Sequence, residues 1–320
     1  MQDIAQLILN ELKRNDGHLS GEALAAKFNM SRQALGKHIG KLQEQGYEIV
    51  AVPHLGYKLT ALPDKLLPAE VHPILKTKYL GHELHYYATI DSTQNACAHL
   101  GLHGAEEGVV VVSETQAAGR GRMGRGWVSS LGGIYFSLLL RPVFLPVFEA
   151  PKITMLISLA VRNAIFKAAG IDCAVKWPND IYLGSKKLAG ILCEINAEVD
   201  KINFVVVGAG INVNSRDLPP TATSLFLHSK EKIRRKELFV AILSEIENYY
   251  ETAKKYGFKS ILEGWQKYCP MLGKEVEVKT AVRVIKGRAI TIDEYGRLVV
   301  KEGTRTVKIS SGDVVKVHNH

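Results

Sequence analysis

The stretch that most restricts this chain is Gly119-Arg-Gly-Arg-Met-Gly-Arg-Gly-Trp127, four glycines interleaved with three arginines directly after a strand-like run, Val109 to Ser113. It contains a formal G-x-G-x-x-G. In a dinucleotide-binding fold that pattern opens a helix, whereas here Trp127-Val-Ser-Ser-Leu-Gly-Gly leads into a second strand-like run, Ile134 to Leu140, so the doubly wound fold is excluded. A P-loop is excluded too, because no G-K-[ST] follows. Glycines let backbone approach a ligand closely, and Arg120, Arg122 and Arg125 carry forked donors suited to carboxylate and phosphate oxygens. Such a loop is expected to gain its order from an anion. An RGG-like RNA contact is the bland alternative, weakened by the loop's isolation inside a strand-rich region.

The pattern along the chain divides into three. Near the N-terminus, Ser20 precedes a helical pattern from Gly21 to Phe28, Asn29 interrupts it, and Ser31 precedes a second from Arg32 to Leu42. The second helix is +3 with no acid, and Ser31, Arg32, Gln33, Lys37, His38 and Lys41 are its candidate DNA-contacting residues. Tyr47 to Val52 and Tyr57 to Thr60 flank Pro53-His-Leu-Gly56 as a two-stranded wing, so residues 1–62 read as a winged helix-turn-helix. A head used only for packing or dimerisation is the alternative.

Pro63, Pro68 and Pro73 open a second region, residues 63–269, with further strand-like runs at Ala174 to Trp177, Leu188 to Ile195 and Phe204 to Val207. Helical patterns fall at Pro151 to Ala169 and Lys236 to Tyr256, giving a mixed α/β domain with a largely antiparallel sheet. Residues 270–320 hold short β segments at Glu275 to Lys279, Ala289 to Ile292, Leu298 to Lys301 and Arg305 to Ile309, which fit a small SH3-like β-barrel. The class is therefore α+β. The net charge of +9 splits as +1, +4 and +4 over these regions, so nucleic-acid binding must come from a placed element and not from a polybasic tail. The run Ile4 to Leu12 is short and broken by polar residues, and no membrane contact is expected. Four scattered cysteines with no C-x-x-C indicate reduced thiols, a cytoplasmic location and no metal site.

Lys176-Trp-Pro-Asn-Asp180 is a second cluster, and the hairpin that follows it could return Lys187 to the Asn-Asp turn. Solvated turn lysines are the ordinary reading of Lys186 and Lys187. Asp91-Ser-Thr-Gln94, Ser113-Glu-Thr-Gln116 and Gly208-Ala-Gly-Ile-Asn212 are each weak alone, since Ser92 and Thr93 could simply cap a helix. In this order, together with the arginine loop and Lys187-Leu-Ala-Gly-Ile-Leu192, they resemble over nearly the whole chain the bacterial biotin protein ligases of the class that doubles as biotin operon repressor.

That resemblance implies a two-step activity. Biotin attacks Mg-ATP to give biotinyl-adenylate, and a lysine of biotin carboxyl carrier protein then displaces AMP. It implies biotin contacts from Ser92, Thr93, Gln94, Gln116, Arg120, Gly121, Arg122 and Lys187. ATP or adenylate contacts would come from Arg122, Arg125, Trp127, Lys176, Asn179, Gly190, Gly208, Gly210 and Asn212. Lys187, Arg120 and Asp180 take the catalytic roles, Asp180 as base or positioner for the acceptor lysine. Mg2+ accompanies ATP, the head binds operator DNA, and the adenylate promotes a homodimer. Gln94 stands where the family usually has Asn, and Met123 interrupts a run that is often Arg-Arg. A lipoate or octanoate ligase and a non-catalytic ligand-sensing repressor are the rival readings.

Overall fold

The computed structural model describes residues 4–318, which fall into two compact units divided in the sequence between Lys65 and Leu66. In the first, α1 (Ile4–Lys13) buries Ala5, Ile8, Leu9 and Leu12, the spacing of one helical face. Helix α2 (Gly21–Lys27) is capped by Ser20, and α3 (Arg32–Glu44) by Ser31, whose Oγ accepts the Ala34 N–H at 3.1 Å. Asn29 makes the turn between them with φ +50°, a left-handed conformation that asparagine tolerates. Strands β1 (Glu48–Val52) and β2 (Gly56–Ala61) pair antiparallel as the wing. Gly56 is required there, since its φ is +106° and a Cβ would run into the Leu19 carbonyl. Two points differ from the sequence reading. Helix α1 is a full element of the head, and α3 runs on to Glu44, so the recognition-type helix includes one acid in its last turn.

The second unit opens with α4 (Pro68–Val71), β3 (Leu84–Ile90), α5 (Thr93–Leu102), β4 (Val110–Gln116), β5 (Ile134–Leu140) and α6 (Pro151–Ala169). The strands β6 (Ala174–Lys176), β7 (Asp180–Leu183), β8 (Lys186–Ala197) and β9 (Ile202–Ile211) follow, then α7 (Leu225–Ser229), α8 (Arg235–Tyr256) and α9 (Lys259–Lys267). The seven strands form one sheet in the order β3-β4-β5-β9-β8-β7-β6, antiparallel throughout except for the β3–β4 pair. Phe136, Leu138 and Leu140 of β5 join the main core with α6 and α8, while Leu139 packs with Cys97, Val111 and Val206 beneath α5.

Each strand that was legible from its apolar run is thus confirmed in place. Strand β3 was not legible, because Leu84–Ile90 is a half-exposed edge strand with no clean alternation.

The remaining strands, β10 (Glu275–Lys279), β11 (Val284–Ile292), β12 (Leu298–Glu302), β13 (Arg305–Ile309) and β14 (Asp313–Val317), form a five-stranded antiparallel sheet in the order β13-β12-β11-β10-β14. Their inward residues Val276, Ala289, Leu298 and Val300 belong to the same apolar core as α6 and α8. A buried ion pair steadies the strand that ends at Gln116. Glu114 and Arg235, 5% and 3% exposed, meet at 2.8 Å, and each is further satisfied, by the Leu66 N–H and the Gly133 carbonyl respectively. Among the described residues no helix is long and apolar enough to cross a membrane.

Candidate active site

A cavity of about 430 Å3 opens over the central strands, within the range of small-molecule sites. Its floor is backbone. Gly190 of β8 and Gly210 of β9 face each other in one rung of the β8–β9 ladder, Gly208 lies two rungs along β9, and all three line the cavity. The Trp127 indole lies on that floor, so closely that a Cβ at Gly210 would collide with it and one at Gly190 would come within 2.9 Å of Cζ3. Glycine is therefore dictated here by steric approach. Trp127 Nε1 is buried and has no hydrogen-bond partner among the described residues.

One end of the cavity is polar and neutral. Ser92 caps α5, placing Thr93 and Gln94 on the helix's first turn against β4, β5 and β9. Gln116, at the end of β4, accepts the Thr93 N–H at 2.8 Å and donates through Nε2 to Ser129 Oγ at 2.9 Å. Ser137, the one serine in the buried strand β5, joins this end at 2.9 Å from Thr93 Oγ1.

The opposite end is charged. The β7–β8 hairpin, bulged at Ile181 and Tyr182, pairs Lys187 with Tyr182 and Asp180 with Gly190, and Lys187 Nζ lies 2.7 Å from Asp180 Oδ1. This is the convergence anticipated from the hairpin, and Lys187 is no free turn residue. Its ammonium also sits 5.3 Å from the Trp127 ring centre. Lys176, beside the Tyr182 ring, is held below the ordinary lysine range by burial, against the pull of Asp180 and with Lys187 adding repulsion.

The arginine loop spans the two ends. Met123 at φ +56° turns it, and the bridge between Arg120 and Gly126 closes it as a small hairpin. Arg120 bonds Asn95 Oδ1 at 2.7 Å and Glu194 Oε1 at 2.5 Å. Arg122 reaches Asn179 Oδ1 at 3.2 Å and Asp313 Oδ1 at 3.4 Å, and Arg125 meets the same Asp313 carboxylate at 2.9 Å. Burial lowers the Arg122 pKa, with Asp313 and Asp180 opposing that shift. Protein carboxylates and amides thus occupy the guanidinium groups that the sequence reading left to an incoming anion.

Of the residues expected around a ligand, Ser92, Thr93, Gln94, Gln116, Arg120, Gly121, Arg122, Arg125, Trp127, Lys176, Asn179, Asp180, Lys187, Gly190, Gly208 and Gly210 all line this one cavity. Asn212 does not line it. It is 2% exposed, with Oδ1 buried and without a hydrogen-bond partner among the described residues. Sequence reasoning missed Ser137, Tyr182 and Asp313. The first was signalled by a small serine among the large apolar and aromatic residues of its strand, whereas Asp313 lies about 190 residues from the loop it meets and gives no local signal.

On the head, Ser31, Arg32, Gln33, Lys37 and Lys41 are exposed on α3, while His38 is half-buried with its Nδ1 enclosed. No group of three His, Cys, Asp or Glu able to hold a metal occurs among the described residues.

Residues 86–212, which carry the cavity's floor, its neutral end and its hairpin, match the biotin/lipoate A/B protein ligase family. Over its full architecture the chain is 38% identical to the bifunctional ligase/repressor BirA of Bacillus subtilis across 303 residues, 92% of this chain and 93% of that one. The chain belongs to the biotin/lipoate A/B protein ligase family. Residues 5–58 match an HTH domain and residues 271–317 the biotin protein ligase C-terminal domain, so the family's catalytic core is flanked here by both. The Escherichia coli bifunctional ligase/repressor BirA is 30% identical over 302 residues, 92% of either chain. Among solved structures, the Aquifex aeolicus biotin protein ligase in complex with biotin and ATP superposes with a TM-score of 0.64 at 30% identity, covering 72% of this chain and 97% of that one.

Proposed function

We propose that this protein is an ATP-dependent biotin–protein ligase, forming biotinyl-5'-AMP and passing biotin to a lysine of biotin carboxyl carrier protein, and that it also represses biotin synthesis genes with the adenylate as corepressor. The observation that carries the ligase reading is the cavity's division into a neutral end, a backbone floor and a cationic end, in a chain otherwise built like the BirA ligase/repressors. A carboxylate attacking an α-phosphate brings two anions together. Lys187 and the guanidinium groups of Arg120, Arg122 and Arg125 supply the positive charge that such an approach needs. The Trp127 indole, seated on Gly190 and Gly210, offers a flat face to a base, and its Nε1 has no hydrogen-bond partner among the described residues.

Mg2+ fits as a passenger of the nucleotide. Among the described residues lining the cavity, the carboxylates are those of Asp180 and Asp313, which suits an ion that keeps waters and is held largely by substrate phosphates. It would neutralise phosphate charge when bound. Asp180, 2.7 Å from Lys187, is placed to orient or deprotonate an incoming acceptor amine.

For the second activity, α3 presents Arg32, Lys37 and Lys41 to solvent from a winged head, the arrangement that reads a duplex groove. We assign three functional domains, 1–62, 63–269 and 270–320, a cytoplasmic location and a homodimer that forms on adenylate binding and reads two half-sites.

Transfer of labelled biotin to a carrier-protein domain, dependent on Mg-ATP, tests the ligase, and labelling by lipoate instead would favour the rival substrate. A gel shift on DNA upstream of biotin synthesis genes that tightens with biotin and ATP tests repression. A shift indifferent to ligand would leave only the ligase.

A further inference from the structure

We propose that Trp177 is a positioning residue for adenylate formation, pinning the turn that carries Lys176, Asn179 and Asp180 to the C-terminal sheet; this rests on the ligase reading above. That turn follows β6, the outermost strand of the seven-stranded sheet, which is three residues long and pairs along one edge with β7. An edge strand so short has few ladder bonds with which to fix what it carries. One more comes from the chain leaving α9, where the Tyr268 carbonyl accepts the Val175 N–H at 2.8 Å. A cationic end that brings two anions together needs groups whose directions are set beforehand, so its turn must be held from outside the sheet.

Trp177 supplies that hold. Its side chain is 2% exposed, and Nε1, a group that can only donate, gives its hydrogen to the Gly296 carbonyl at 3.1 Å. Gly296 belongs to the turn at 293–297 between β11 and β12, which is braced by its own bonds. Asp293 Oδ1 accepts the N–H groups of Tyr295 and Arg297, each at 3.0 Å, and Oδ2 accepts Arg297 Nε–H at 2.8 Å. The Asp293 carbonyl accepts the Gly296 N–H at 2.9 Å. Helix α6 backs the turn, since Gly296 is buried at φ +78° and a Cβ there would come within 3.1 Å of Met155 Sδ.

The indole therefore ties a short edge strand to a rigid point 119 residues along the chain. Just beyond it, Asn179 donates to the Ile191 carbonyl at 2.7 Å and accepts from Arg122 at 3.2 Å, and Asp180 meets Lys187 at 2.7 Å. These contacts all start from a backbone position that Trp177 fixes. Without the indole N–H, the buried Gly296 carbonyl is left unpaired, and the two turns move relative to each other to satisfy it. Such a displacement reaches the charged end of the cavity. It leaves the neutral end, built on α5, β4 and β5, where it was. The rate of adenylate formation then depends on Trp177, and biotin affinity does not.

The test is a double-mutant cycle on the full chain, reading single-turnover adenylate formation at saturating biotin and ATP, and biotin Kd by calorimetry. Trp177→Phe keeps an aromatic ring and removes the N–H. It is expected to slow adenylate formation roughly tenfold with biotin Kd unchanged. Gly296→Ala, which pushes the opposing turn off α6, is expected to slow it similarly, and the double variant no further than the slower single one. Val300→Ala, a cavity in the same C-terminal sheet away from the turn, is the control. It should lower the melting temperature as the other two do and leave the rate alone. Should Trp177→Phe fail to fold, Gly296→Ala against Val300→Ala decides. An unchanged rate in Trp177→Phe or in Gly296→Ala, an equal slowing by Val300→Ala, additive losses, or a matching loss of biotin affinity would overturn the assignment of Trp177. A wild-type chain that forms no adenylate from biotin would instead overturn the ligase reading beneath it.

Discussion

The cations of α3 and those of the arginine loop are the same residue types used in opposite ways. Arg32, Lys37 and Lys41 stand exposed, and among the described residues none has an ion-pair partner. Arg120, Arg122 and Arg125 are all engaged, by Glu194, Asn95, Asn179 and Asp313. A long polyanion arriving from solvent is met by side chains that stay hydrated and mobile, since releasing counterions drives that binding. A compact anion in a cavity is met by groups whose directions are already set, because transition-state stabilisation depends on donors that need no reorganisation. The paired arginines lose little by this, since incoming phosphate can take the place of a carboxylate.

The comparison breaks most visibly if the loop's positions turn out to be interchangeable with the helix's. Arg122→Ala, which removes a half-buried guanidinium shared by Asn179 and Asp313, is expected to slow adenylate formation roughly 100-fold in single-turnover measurement, without altering DNA affinity at fixed adenylate occupancy. Lys37→Ala should do the reverse. It is expected to weaken operator binding several-fold and to reduce the slope of log K against log salt by about 1, leaving the ligase rate intact. Equal effects of both variants on both assays would abolish the distinction.

The smallest effect concerns the cost of crowding cations. Lys176 is held below the ordinary 10.5 by burial, so its charged form is disfavoured in the fold. Where the folded pKa lies under the unfolded one, the unfolded chain binds more protons and stability rises with pH through that window. Lys176→Met is therefore expected to raise the melting temperature at neutral pH by about 1–3 °C, with the gain shrinking as pH climbs toward 10.5. A constant gain across that range would show that packing and not charge is responsible.

Much of this was legible in the residues. Ile134–Leu140 and Pro151–Ala169 begin and end where their apolar patterns do, because both elements are buried nearly throughout and so must be apolar nearly throughout. The return of Lys187 to Asp180 followed from hairpin register alone. What the residues concealed was long-range pairing. Asp313 reaches the arginine loop from β14, a strand broken by lysine and too exposed to announce itself. The contacts of Thr93 with Gln116 and Ser137 were equally hidden, since they join α5, β4 and β5 and no single segment encodes them. All four thiols fit the reduced-cysteine expectation, with burial pushing Cys97, Cys173, Cys193 and Cys269 up to about 12, too high for a reactive thiolate.

Central to the account is a cationic hairpin end that lets two anions react on a glycine floor. Biotin-dependent exchange of labelled pyrophosphate into ATP measures that step directly. Wild-type protein should exchange only when biotin is present, and Lys187→Ala should lose roughly 100-fold or more of the rate while still folding and still carrying its winged head. Exchange that persists unchanged in Lys187→Ala, or none at all in the wild type, would contradict the account.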